Sequence, residues 1–193
     1  MKNLNKYIEE AWSGVKQQVS KAEIEAWCEE MGIGNYTIND KGEIDVDDDV
    51  WLANQWLVSK RIKELPYKFG SVSGYFNISL NNSLISLKNC PHEVGEDFNC
   101  EGCPKLSSLE GGPKKVGGNF NGLHCNNLIS LEGAPQEVGN LFDCSHCVNL
   151  KSLKGCPKKV GGDFKFYGYK NQFTKEKVAS LCKVTGEIYV DNF

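Results

Sequence analysis

The chain has no apolar run approaching the ~20 residues that cross a bilayer, so no membrane span is expected. Nor is there a basic excess: 22 Lys and Arg stand against 25 Asp and Glu, a net charge of −3. Nucleic-acid binding draws on a basic face that displaces counterions from phosphates, so nucleic acid is not an expected partner. Phosphate loops, dinucleotide fingerprints, and Ser-His-Asp or Cys-His sets with a third orienting group are all missing, so neither enzymatic activity nor a cofactor is expected. Residues 1–12, MKNLNKYIEEAW, carry two Glu where a signal peptide needs an apolar segment, which predicts a chain that stays in a cytoplasm. The nine cysteines are odd in number and most fall in repeat register, which favours reduced thiols over disulfides.

What is present is an ordinary soluble composition, 193 residues with 40% apolar and 24% charged, carrying a repeat. Phe76, Phe98, Phe120, Phe142 and Phe164 recur every 22 residues. The same interval links Leu84 to Leu150, Leu87 to Leu153, Pro91 to Pro157 and Val94 to Val160. A fixed period of this size predicts a solenoid whose coils stack their Phe, Leu and Val into internal ladders.

The ends differ from the middle. Leu4, Tyr7, Ile8, Ala11, Trp12, Val15 and Val19 mark an amphipathic helix over residues 4–19. Ser20 and Glu23 form a capping box for a second, with stripe Ile24, Trp27, Cys28 and Met31, stopped by Gly32 and Gly34. Tyr36 to Ile38 and Glu43 to Val46 predict a hairpin. Residues 1–49 are therefore an N-terminal cap, in which Trp12, Trp27, Trp51 and Trp56 nearby are assigned to packing. Residues 50–166 form the solenoid, opening with a degenerate coil around Ile62, Leu65 and Pro66. Residues 167–193 close it, with Thr174 capping a helix that bears Val178, Leu181 and Cys182 before a strand at 187–190. GEIDVD (42–47) and GEIYVD (186–191) suggest similar finishing strands at both ends.

Within a coil, Phe120 and position 122 point inward on a short strand and Asn121 outward. Leu128 and Leu131 bury on a returning arc, and Gly95, Gly117, Gly139 and Gly161 are expected to turn a corner through positive φ. The Leu-x-x-Leu, Pro-x-x-Val and Phe-x-Cys-x-x-Cys pieces resemble a short bacterial leucine-rich repeat, an α/β repeat solenoid. Gly-Gly after Val and the Phe and Cys in the strand depart from its usual pattern. Units such as SLEGAPQEVG, after an N-terminus like MKNLNKYIEEAW, are closer still to proteins of T4-like tailed phages. That resemblance implies a phage chain working in the host cytoplasm.

Several constellations are weighed for chemistry. Cys100-x-x-Cys103 and Cys144-x-x-Cys147 lie two coils apart, about 10 Å, too far to share one zinc ion. Cys125 and Cys147, with His124 and His146, form columns in neighbouring coils and are a sharper metal candidate than those pairs, set against the preferred reading as packed structural thiols. Glu93, Lys115, Glu137 and Lys159, and Lys88, Glu110, Glu132 and Lys154, read as arc rows that fix register between coils. Asp45, Asp47, Asp48 and Asp49 lack a calcium-loop pattern and read as solvated turn carboxylates.

The outward strand columns remain: Asn77, Asn99, Asn121, Asp143 and Lys165, then Ser79, Glu101, Leu123, Ser145 and Tyr167. Leucine-rich repeats bind protein partners on this face, and the outward Leu123 and Tyr167 suit a contact surface. The expected function is a phage interaction module that docks a protein, a host factor or defence enzyme such as a toxin. The alternatives are a virion or assembly component and a small zinc-binding module.

Overall fold

The computed structural model describes residues 19–53, 61–168 and 173–190. The helix expected over 4–19, with Trp12, and Trp56 lie outside them. Helix α1 (Lys21–Met31) starts on the expected box: the Ser20 hydroxyl accepts from Glu23 N at 3.3 Å and the Glu23 carboxylate accepts from Ser20 N at 2.8 Å. Gly32 closes it at φ +70°. The stripe Ile24, Trp27, Cys28 and Met31 is buried, and Trp27 packs edge-on against Tyr67 and Phe69 at 5.5 and 6.1 Å. Strands β1 (Tyr36–Ile38) and β2 (Ile44–Val46) form the antiparallel hairpin, its turn held by Asn39 Oδ1, which accepts from Lys41 N and Glu43 N.

A solenoid follows, as the 22-residue period predicts, and all its inter-coil pairing is parallel. One strand per coil is expected from the sequence; the structure has two. The first set is β4 (Phe69–Val72), β6 (Glu93–Val94), β8 (Lys115–Val116), β10 (Glu137–Val138), β12 (Lys159–Val160) and β14 (Lys183–Val184). With the hairpin they make an eight-stranded sheet, the Val sheet, in which β2 is the first parallel rung. The second set is β3 (Val50–Trp51), β5 (Phe76–Asn77), β7 (Phe98–Asn99), β9 (Phe120–Asn121), β11 (Phe142–Asp143), β13 (Phe164–Phe166) and β15 (Ile188–Val190). These form the seven-stranded Phe sheet.

The charged row Glu93 to Lys159 therefore lies on a sheet and not on an arc. Proline fixes φ in the extended range and the β-branched Val follows three residues later, which keeps that segment a strand. The row does join coils, with Lys115–Glu93 at 2.9 Å, and on the true arc Lys154–Glu132 at 2.7 Å. Phe76 to Phe164 are fully buried and stack ring on ring at 5.7, 5.6, 5.1 and 5.1 Å, beside buried Leu and Val columns.

Two expectations are corrected. Gly95, Gly117, Gly139 and Gly161 do not have positive φ; a Cβ on any of them would come within 2.1 Å of a backbone carbonyl oxygen in the preceding coil. Close approach, not backbone handedness, requires glycine there. In the repeating coils the left-handed positions are Asn89, Gly111, Gly133 and Gly155 on the arc and Leu80, Gly102, His124, His146 and Gly168 after the Phe strand. The GEIDVD and GEIYVD strands are likewise not equivalent: Val46 pairs with Val72 in the Val sheet, whereas Ile188 pairs with Phe164 in the Phe sheet. Gly42 closes a hairpin, while Gly186 fills the corner between the two strands of a coil. At the C-terminal end, α2 (Lys175–Ala179) starts on Thr174, whose hydroxyl accepts from Lys177 N, and buries Val178.

Candidate interaction surface

The outer side of the Phe sheet is built from the two neighbours of each inward strand residue, because side chains alternate across a strand. One column is Trp51, Asn77, Asn99, Asn121, Asp143, Lys165 and Tyr189, in register strand to strand. The other is Asp49, Tyr75, Asp97, Asn119, Leu141, Asp163 and Glu187, each the residue before the strand.

Most of these polar side chains have a structural task. Asn77, Asn99, Asn121 and Asp143 each accept, through Oδ1, from the backbone N–H two residues on, at 2.9 to 3.2 Å. The column before the strand ties coil to coil: Asp49 Oδ1 accepts from Tyr75 N at 2.8 Å, Asp97 from Asn119 N at 2.6 Å, and Asn119 from Leu141 N at 3.1 Å. The second glycine of the Gly-Gly pair makes room for these groups: a Cβ on Gly118 would lie 2.1 Å from Asp97 Oδ1.

Of the ten surface residues expected from sequence, Asn77, Ser79, Asp143 and Ser145 are buried. Asn99, Glu101, Asn121, Leu123 and Lys165 are half-buried on the face and Tyr167 is exposed. The face also holds Trp51, assigned to packing above but 58% exposed, with its ring 5.3 Å from Tyr75. Trp27 is the described tryptophan that does pack inside. Burial raises the Tyr75 hydroxyl above its ordinary pKa, and its oxygen accepts from Asn99 Nδ2 at 3.1 Å. At the other end Tyr167 and Tyr189 lie 6.1 Å apart, with Lys165 Nζ 5.7 Å from the Tyr189 ring. Six strand steps of about 4.8 Å separate Trp51 from Tyr189, a face roughly 29 Å long. In its middle Tyr75, Asp97, Asn99, Asn121, Leu123 and Leu141 line a depression of about 160 Å³.

Comparison with family models, with curated proteins and with solved structures finds no match to this chain.

The Cys and His columns face opposite ways. His124 and His146 are exposed, their rings stacked at 5.0 Å, on positions of positive φ. Cys125 and Cys147 are fully buried, their thiols donating to Cys100 O at 3.2 Å and Gly122 O at 3.1 Å. Among the described residues no three His, Cys, Asp or Glu groups gather in a way that could hold an ion. All nine cysteines are free thiols. Burial pushes the Cys103 thiol up to about 12 and Cys144 well above its ordinary value. Iodoacetamide at mildly alkaline pH is therefore expected to leave Cys100, Cys103, Cys125, Cys144 and Cys147 unmodified in the folded protein and to modify all of them after denaturation. Peptide mass spectrometry reads the result, and fast labelling of Cys125 or Cys147 in the native protein would contradict their inward placement.

The acidic run is also tied down. Asp45 is desolvated, yet its carboxyl is held below the ordinary range by Asn39 Nδ2 at 2.9 Å and by the Ser71 N–H and hydroxyl at 2.8 and 3.0 Å. Asp47 accepts from Ser73 Oγ and Asp48 from Asn35 Nδ2. These carboxylates, read as merely solvated above, are hydrogen-bonded to the first turns, and Asp45 and Asp47 line a groove of about 390 Å³ on the Val sheet. No helix among the described residues is long and apolar enough to cross a membrane.

Proposed function

We propose that this protein is a binding module whose outer Phe-sheet face docks a protein partner. The observation that carries the reading is Trp51, 58% exposed and packed against Tyr75 in the column that continues through Asn99 and Asn121. A large aromatic ring left in water on a rigid sheet is the residue type that anchors interfaces. Tyr167 and Tyr189 give the far end a second aromatic anchor. Side chains already fixed by hydrogen bonds lose little freedom on binding, which favours affinity. The phage-like repeat wording directs the search to host proteins, defence enzymes among them, working in the same cytoplasm.

Affinity capture with the tagged protein from infected cells tests this. Trp51→Ala is expected to weaken the captured complex by roughly thirty-fold, about 2 kcal/mol, without changing the melting curve, because Trp51 contributes little to the core. A host protein among the captured chains supports the host-directed reading, whereas capsid or tail proteins would make the module an assembly component. Capture unaffected by Trp51→Ala and Tyr167→Ala would move the interface off this face.

A further inference from the structure

The partner's chemistry is written in the charges of the same face. Its described residues carry Asp49, Asp97, Glu101, Asp143, Asp163 and Glu187, against Lys165 as their cation. The Val sheet, by contrast, mixes signs along its outer row, with Glu93, Lys115, Glu137, Lys159 and Lys183 in successive strands. The Phe-sheet face is thus acidic locally, whereas the outer row of the Val sheet is balanced between the two signs.

The depression at the middle of that face adds shape to the charge. Leu123, Leu141 and Tyr75 supply apolar wall, Asp97 lines it with the buried Asp143 beneath, and Glu101 borders it through its bond from Asn121 Nδ2 at 3.1 Å. An ionised carboxylate has about four acceptor sites, so the bonds that fix these groups leave capacity for a further donor. A long side chain with an apolar stem and a planar, many-donor cationic head matches such a site, and the aromatic wall favours guanidinium over ammonium.

We propose that the face recognises an arginine-bearing cationic segment of its protein partner, with one arginine seated in the depression between Tyr75 and Leu123. This rests on the reading of the Phe-sheet face as the interaction surface and names what that surface selects. Long-range attraction then steers the approach, and the seated arginine fixes the register.

Fluorescence anisotropy with three short synthetic peptides, rich in Arg, Lys or Glu and otherwise identical, tests it on the full chain, with amide chemical shifts mapping the contact. The Arg peptide is expected to bind and to shift the amides of Tyr75, Asn99 and Leu123. The Lys peptide should bind several-fold more weakly and the Glu peptide not at all. Glu101→Lys should weaken Arg-peptide binding by about ten-fold or more, while Glu137→Lys on the Val sheet leaves it unchanged. Equal binding of the Glu peptide, no binding by any, or shifts confined to the Val sheet would overturn the proposal. A captured partner lost on Trp51→Ala that presents an acidic surface would overturn the charge assignment alone and leave the docking face standing.

Discussion

Gly139→Ala is expected to cost about 3 kcal/mol or more of folding stability, seen as a lower urea midpoint, although it adds one methyl group. Its Cβ would lie 1.8 Å from the Gly117 carbonyl oxygen and 2.7 Å from the carbonyl carbon, and neither is a side chain that can swing aside. Relief would require moving one coil off the next, against the bonds Gly139 N to Val116 O and Gly161 N to Val138 O, each 2.9 Å. In a solenoid each coil contacts only its neighbours, so a displaced central coil weakens both halves. Gly34→Ala is the matched control, because nothing lies within 4 Å of that Cβ and its φ is not positive. It should be neutral or slightly stabilising, by up to about 1 kcal/mol. If the two substitutions cost the same, the coils do not approach as closely as these contacts require.

That glycine column also marks how far the sequence could be read. The constant interval from Phe76 to Phe164 was enough to place five rings in one ladder, since equal coils bring equivalent residues together whatever the detailed path. It could not tell whether Gly139 was needed for positive φ or for room, because both demands select the same residue. The second sheet was hidden because strands such as Lys115–Val116 are two residues long, too short to show alternation. Trp51 escaped the face because Val50, its inward neighbour, is 26 residues from Phe76, so a 22-residue count steps past it. For Asn77 and Asp143, alternation gave the outward direction correctly. It did not reveal that each side chain turns back to the N–H two residues on, a habit of Asn and Asp at turns that removes them from the free surface. The column before the strand, Tyr75 to Asp163, was implicit in the same alternation, which sends both neighbours of an inward Phe outward.

The ladder is where the second large effect is expected. Phe120→Ala should cost about 3–5 kcal/mol, the range for emptying a buried aromatic position, measured as the shift of the urea midpoint. The ring is fully buried, lies 5.6 Å from Phe98 and 5.1 Å from Phe142, and its removal would leave both stacking partners facing a void. Phe120→Leu keeps most of the apolar volume but loses the stacking, and should cost at least about 1 kcal/mol. Coupling gives the sharper test. Leucine at Phe98 and Phe120 together should cost an amount that differs from the sum of the single changes, because the two rings touch. Leucine at Phe76 and Phe142, three strand steps or about 14 Å apart, should be additive. Additivity in both pairs would mean that each ring packs only against its own coil. The inter-coil ladder, and with it the rigidity that holds Trp51, Asn99, Asn121 and Tyr189 in one column, would then have to come from the backbone bonds alone.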